Sequence, residues 1–99
     1  MRYYFDWHPE KAETNRKKHN ISFEQAAGIF LDPRAITVFD DEHSENEDRW
    51  VTIGIDKSGI LLVMVHTFNQ IDSECCRIHI ISARKATKKE AKHYREENK

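Results

Sequence analysis

From Asp40 to Trp50 the chain gathers six carboxylates, the imidazole of His43, the guanidinium of Arg49 and the indole of Trp50 at the entrance of a strand pattern. An ordinary turn needs only a few Gly, Asn, Asp or Pro residues, so this stretch is equipped for proton transfer or for gripping an anion. The plainer reading is a solvated acidic loop. Other residues carry the same chemistry. His66 lies in a strand pattern and Arg84 at a strand-to-helix junction. A guanidinium fork takes phosphate oxygens in pairs; alternatively Arg84 pairs with the acidic loop, and Arg49 with Glu45 or Glu47. Lys18 and His19 close a helix pattern, where the dipole also favours cations. Trp50 suits stacking on a planar ligand or covering a sheet edge.

Metal ligation is a weaker reading. Cys75 and His79 lie roughly 13 Å apart if they share a strand at about 3.3 Å per residue, too far for one zinc ion. No paired His or Cys spacing of a zinc class appears, and no cofactor is expected. Cys75 and Cys76 are adjacent, which disfavours a disulfide and fits a reducing compartment. One is expected to point inward and the other outward.

These groups must be positioned by a single domain, since 99 residues accommodate one core and no second. The longest apolar run, Ile60 to Val65, cannot span a bilayer and the N-terminus lacks a signal-peptide pattern, so a cytoplasmic protein without membrane contact is expected. The net charge of -1 argues against indiscriminate nucleic-acid binding. It hides an asymmetry: residues 32–48 carry seven acids against Arg34, and residues 84–99 seven bases against Glu90, Glu96 and Glu97. A local anion site is compatible with that distribution.

The periodicities predict an α+β fold. Tyr3 to Trp7 reads as a short strand, followed by a helix from Pro9 to about His19 that Asn20 ends. Ser22 with Gln25 forms a capping box for a second helix, with Ile21 and Ala26 as its staple. Its apolar positions are Phe23, Ala26, Ala27 and Phe30, and Asp32-Pro33 stops it. The period then becomes two, giving strands at Ala35–Phe39, Trp50–Asp56, Ile60–Phe68 and Cys76–Ser82. Lys57-Ser58-Gly59 reads as a hairpin loop that pairs Asp56 with Ile60. That register puts Val51, Ile53, Ile55, Leu61, Val63 and Val65 on one face, expected to pack on Phe23, Ala27 and Phe30. Trp50, Thr52, Met64 and His66 fall on the other face, with Arg77 and His79 expected to continue it. Thr87 and Glu90 form a further capping box, with Ala86 and Ala91 as staple, for a last helix to about Glu97 that has only Ala91 and Tyr94 to bury.

Five ordered blocks now carry a resemblance. Phe5-Asp6-Trp7-His8-Pro9 through Asn15 to Lys18-His19-Asn20-Ile21-Ser22-Phe23, His43-Ser44-Glu45 with Arg49-Trp50, Gly54, Val65-His66-Thr67, and Ile80-Ile81-Ser82-Ala83-Arg84-Lys85-Ala86-Thr87 resemble the BrnT family of type II toxin–antitoxin toxins. The sequence departs from the family pattern at His8, at His79 where arginine is expected, and across Asn69 to Cys75. The resemblance implies a RelE-like fold and a small ribonuclease. It also implies a cognate BrnA-like DNA-binding antitoxin that joins it in a hetero-oligomer and with it represses their operon.

Metal-free RNA cleavage needs a base at the 2′-hydroxyl, an acid for the leaving oxygen and positive charge on the phosphate. On that reading Arg49, His66, Arg84 and His43 are the expected catalytic residues, and Lys18, His19, Trp50, Arg77 and His79 the expected RNA contacts. Two alternatives stand beside it. One is a catalytically weakened member that acts only by binding its antitoxin and regulating the operon; the other is a metal-dependent nuclease built on the acidic loop.

Overall fold

The computed structural model describes residues 1–98; Lys99, counted above in the basic stretch, lies outside them. In chain order the elements are β1 (Arg2–Trp7), α1 (Pro9–His19), α2 (Phe23–Ala27), β2 (Ile36–Phe39), β3 (Trp50–Ile55), β4 (Leu61–Gln70), β5 (Cys75–Lys85) and α3 (Lys88–Glu97). Among the described residues the strands form one sheet in the order β1-β5-β4-β3-β2. Its pairs are antiparallel except β1 with β5, which is parallel. The α+β expectation holds, with a mixed sheet and with β4 and β5 running further than their sequence patterns indicated.

Local chemistry sets most element ends. Asn20 adopts the left-handed conformation at φ 57° and its N–H bonds the Arg16 carbonyl, ending α1. The Ser22 hydroxyl accepts from the Gln25 N–H. Gln25 does not return the bond: its amide instead donates to Asp56 Oδ2 at 2.8 Å, tying α2 to the hairpin. The second helix is therefore short, continuing as a 3-10 turn over Gly28–Leu31. At the hairpin, Asp56 Oδ1 accepts from Ser58 and Ile60 N–H groups, and Gly59 supplies φ 83°. Gly54 is needed for close approach, since a Cβ there would lie 3.0 Å from the Ile29 Cβ. The Thr87–Glu90 capping box opens α3 with both of its bonds.

The hairpin register is as expected, with Ile55 opposite Leu61 and Trp50 opposite His66. What packs on each face is not. Phe23, with Ile21, Ala26 and Ile29, covers Leu62, Met64, Cys76, Ile78, Ile80 and Ala83, and Phe30 and Ala27 pack against the same cluster. The opposite face, with Ile53 and Val63 at its centre, packs on Tyr94 of α3, flanked by Ile36, Val51, Leu61 and Ala86. Ile55, expected in the core, is 38% exposed. Each sheet face has its own helical cover, so alternation along the strands marks side but not burial. Both cysteines are buried and free, correcting the inward–outward expectation.

A β-bulge in β5 separates the pairs Val65–Ser82 and His66–Ile80. The extra residue brings Ile78, Ile80 and Ala83 onto one buried face, although an uninterrupted strand would put Ile80 and Ala83 on opposite sides. Beyond the bulge β1 has ended, and a side chain takes its place. Asn15, 6% exposed, donates to the Ala83 carbonyl at 2.9 Å and accepts from the Ala83 N–H at 3.0 Å, as a neighbouring strand would. Its amide also donates to the Ile21 carbonyl.

Candidate active site

The residues singled out in the sequence separate into distinct places. His66 is buried at 0% exposure. Its Nε2 lies 2.7 Å from Thr52 Oγ1 and its Nδ1 lies 3.0 Å from the Thr67 carbonyl, while Phe30 meets the ring edge-on at 5.4 Å between centroids. The carbonyl can only accept, so Nδ1 carries the hydrogen and Nε2 accepts from the threonine hydroxyl. Burial pushes the imidazole below its ordinary value despite the Thr67 bond, which favours the charged form. The expectation that His66 faces an open polar surface is thus corrected: its face is the one that Phe30 and α2 cover.

The bulge corrects a second expectation. His79 pairs with Thr67, and Arg77 with Asn69, so these side chains emerge on the face opposite Trp50 and His66. Trp50 packs on Phe39, with centroids 5.1 Å apart. Arg49 Nε is 3.4 Å from Glu47 Oε1, a partner its sequence neighbours suggested, but without hydrogen-bond geometry. His43 is held by Asp40 at 3.0 Å. Arg84 turns its fork onto Glu90, at 2.7 and 2.8 Å, and not onto the acidic loop. That pairing lowers the Glu90 carboxyl to about 2 and raises the Arg84 guanidinium above its ordinary value. Five residues of β5, roughly 16 Å at about 3.3 Å each, separate Arg84 from His79. The expected single constellation of Trp50, His66, His79 and Arg84 does not form.

One cluster does form. The parallel β1–β5 pairing places Asp6 beside His79 and Tyr4 beside Arg77. His79 Nδ1 lies 2.6 Å from Asp6 Oδ1, and Arg77 Nε lies 3.7 Å from Asp6 Oδ2. All three side chains are partly open to solvent, at 42% for His79, 52% for Arg77 and 53% for Asp6. The carboxylate accepts the Nδ1 hydrogen, so in the neutral imidazole Nε2 is the acceptor, the arrangement that orients a histidine for proton abstraction. Asp6 was not among the expected site residues, because it lies 73 residues from its partner and the strand pattern around it carried no pairing information. Histidine at position 79, first a departure from a family pattern, is the group the carboxylate holds.

Just past this pair, a cleft of about 570 Å³ separates α1 from the bulge residues Ile81 and Ser82, lined by His8, Lys11, Lys18 and His19 together with Glu10. Lys18 and His19 thus flank β5 as a helix end would allow, and their side chains line a cleft beside the strand that carries His79. Among the described residues no group of three or more His, Cys, Asp or Glu side chains is placed to hold a metal ion. None of the described helices is long and apolar enough to cross a membrane.

Comparison with known proteins agrees with this architecture. No curated protein matches the chain. Among solved structures, the crystal structure of the Brucella abortus ribonuclease toxin, BrnT, superposes with a TM-score of 0.58 at 22% identity, over 89% of this chain and 100% of that one, a likeness of fold. The model of the ribonuclease toxin BrnT of type II toxin–antitoxin systems matches residues 7–90, from the end of β1 into the first turn of α3. With most of its length, both sheet faces and the Arg84–Glu90 junction inside that match, the chain belongs to the BrnT family of ribonuclease toxins, whose partner is an antitoxin.

Proposed function

We propose that this chain is an endoribonuclease that works without a metal, with His79 as its base and Asp6 as the residue that positions it. The 2.6 Å Asp6–His79 contact, at the solvent-open β1–β5 end of the face that α3 covers elsewhere, carries the reading. His79 Nε2 takes the proton of a 2′-hydroxyl, the oxygen attacks the adjacent phosphorus, and the 5′-oxygen leaves with a proton from solvent. The products are a 2′,3′-cyclic phosphate and a 5′-hydroxyl. Arg77 offers charge to the phosphate, while Lys11, Lys18 and His19 hold the neighbouring backbone along the α1 cleft. Arg84, bound to Glu90, fixes the start of α3, and His66 supports the sheet from within. His43, Arg49 and Trp50 lie on the β3 side and take no part in the proton transfer. The antitoxin is a BrnA-like DNA-binding protein that occludes the open face in a hetero-oligomer.

Purified protein acting on single-stranded RNA in EDTA tests this. Cleavage that survives chelation and leaves a cyclic phosphate is expected, with about 10²- to 10⁴-fold loss in His79→Ala and a clear loss in Asp6→Asn, which disturbs the Nδ1 tautomer. Cleavage restored only by magnesium would move the chemistry to the acidic loop. The ion pairs of Arg49 and Arg84 favour a second reading, a non-enzymatic antitoxin-binding module. It predicts folded protein that binds antitoxin and leaves RNA intact.

A further inference from the structure

The row that holds the Asp6–His79 pair has a neighbour on the same face. Asp6, His79 and Thr67 lie across β1, β5 and β4 in one row, and Tyr4, Arg77 and Asn69 in the next. With strands about 4.8 Å apart and alternate residues about 7 Å apart along each strand, the second row is a platform roughly 10 Å wide. It lies one side-chain step from the histidine.

Tyr3, 40% exposed, packs its ring 5.3 Å from Phe30 on the α2 side, whereas Tyr4, 50% exposed, points to the other face, where among the described residues no aromatic ring is packed against it. Arg77 and Asn69 are exposed as well. An exposed phenol ring offers a surface that stacks on a planar ring, and an exposed primary amide offers both a donor and an acceptor to its edge. Single-stranded RNA displays such rings unstacked, and proteins that read it use this combination of stacking and edge contacts. A duplex does not present its bases this way.

We propose that Tyr4, Arg77 and Asn69 form a subsite for one nucleobase of single-stranded RNA, next to the phosphodiester that His79 addresses. Tyr4 stacks on the base and Asn69 selects it by its hydrogen-bonding edge, while Arg77 between them keeps its charge toward the adjacent phosphate. The inference rests on the His79 reading for its position, but the binding it describes can be measured without cleavage.

The test uses full-length protein and a fluorescent single-stranded oligoribonucleotide, first for binding in the His79→Asn background and then for cleavage with His79 intact. Tyr4→Ala should weaken binding about 5- to 150-fold, the range for loss of one stacked base. Tyr4→Phe should bind like the parent. In cleavage, Tyr4→Ala should raise KM by a similar factor with kcat largely kept, and Asn69→Ala should broaden the distribution of sites cut in a randomised RNA. Folded Tyr4→Ala that binds and cleaves like its parent would overturn the subsite while leaving the His79 chemistry standing. Tyr4-dependent binding in a protein that never cleaves would support the subsite and reject the His79 chemistry. Equal binding to duplex RNA would overturn it, because a paired base cannot reach the platform.

Discussion

His66 shows how much a single residue's role depends on which side of the sheet is covered. As a catalytic group it would be replaceable without loss of fold. As found, its imidazole is enclosed by Phe30 and bonded to Thr52 and Thr67, so His66→Ala should destabilise the protein by about 2–4 kcal/mol through lost packing and two lost hydrogen bonds, although Thr52 keeps its bond to Thr37. Urea unfolding checks this, and an unchanged midpoint would contradict it. A pH dependence follows. The buried imidazole has its value lowered from 6.5, so between that lowered value and 6.5 the unfolded chain binds the proton and the folded chain does not. Stability should be complete above pH 6.5 and decline as the pH falls below it. His66→Gln should flatten that part of the profile. The register at this position was legible in the sequence but the burial was not, because a histidine opposite a tryptophan suits either side.

At the scale of elements, local chemistry was legible and long-range pairing was not. The end of α1 at Asn20, the hairpin at Gly59, the β3–β4 register and the Thr87 capping box all rest on groups a few residues apart, and all follow from the sequence. The parallel docking of β1, the bulge in β5 and the placement of Asp6 rest on contacts that no local pattern encodes. The junction of β5 and α3 lies between these cases: Thr87 and Glu90 were expected to pair, but Glu90 also holds Arg84. Arg84→Ala should therefore cost roughly 1.5–3 kcal/mol, the range for hydrogen bonds to charged groups, and should loosen α3 as seen by amide exchange. The Arg84 bonds depress Glu90 from its ordinary 4.5 to about 2, so the contribution is complete above pH 4.5 and is lost as the pH falls towards 2. Activity that vanishes in a fully stable Arg84→Ala protein would instead mark the arginine as a phosphate ligand. Tyr94, expected as one of the two residues α3 has to bury, is committed inward, its hydroxyl donating to Asp32 at 2.6 Å.

For the whole molecule, Asn15 is the residue on which separate parts converge. Its amide joins α1 to the Ile21 carbonyl and to both backbone groups of Ala83, so Asn15→Ala leaves three buried polar groups unpaired. At about 1–3 kcal/mol for each such group, the expected loss is at least about 3 kcal/mol. Circular dichroism melts of the purified variant measure it, and a stability change under 1 kcal/mol would contradict it. The sequence placed Asn15 within a polar helix, where an amide ordinarily meets water, and nothing nearby announced that it would stand in for a strand.

The parallel pairing of β1 with β5 also sets an order in time. β1 is made well before its partner strand, which ends at Lys85, and contacts so distant in sequence form after the intervening chain has closed its local structure. During synthesis, the β2–β3–β4 antiparallel meander can assemble while Asp6 still lacks its histidine. A ribosome-bound chain that has not yet released residue 79 therefore contains no Asp6–His79 pair. On the function proposed above, the base and the carboxylate that positions it meet only after β5 has emerged, so the proton-transfer pair is among the last features of the fold to form.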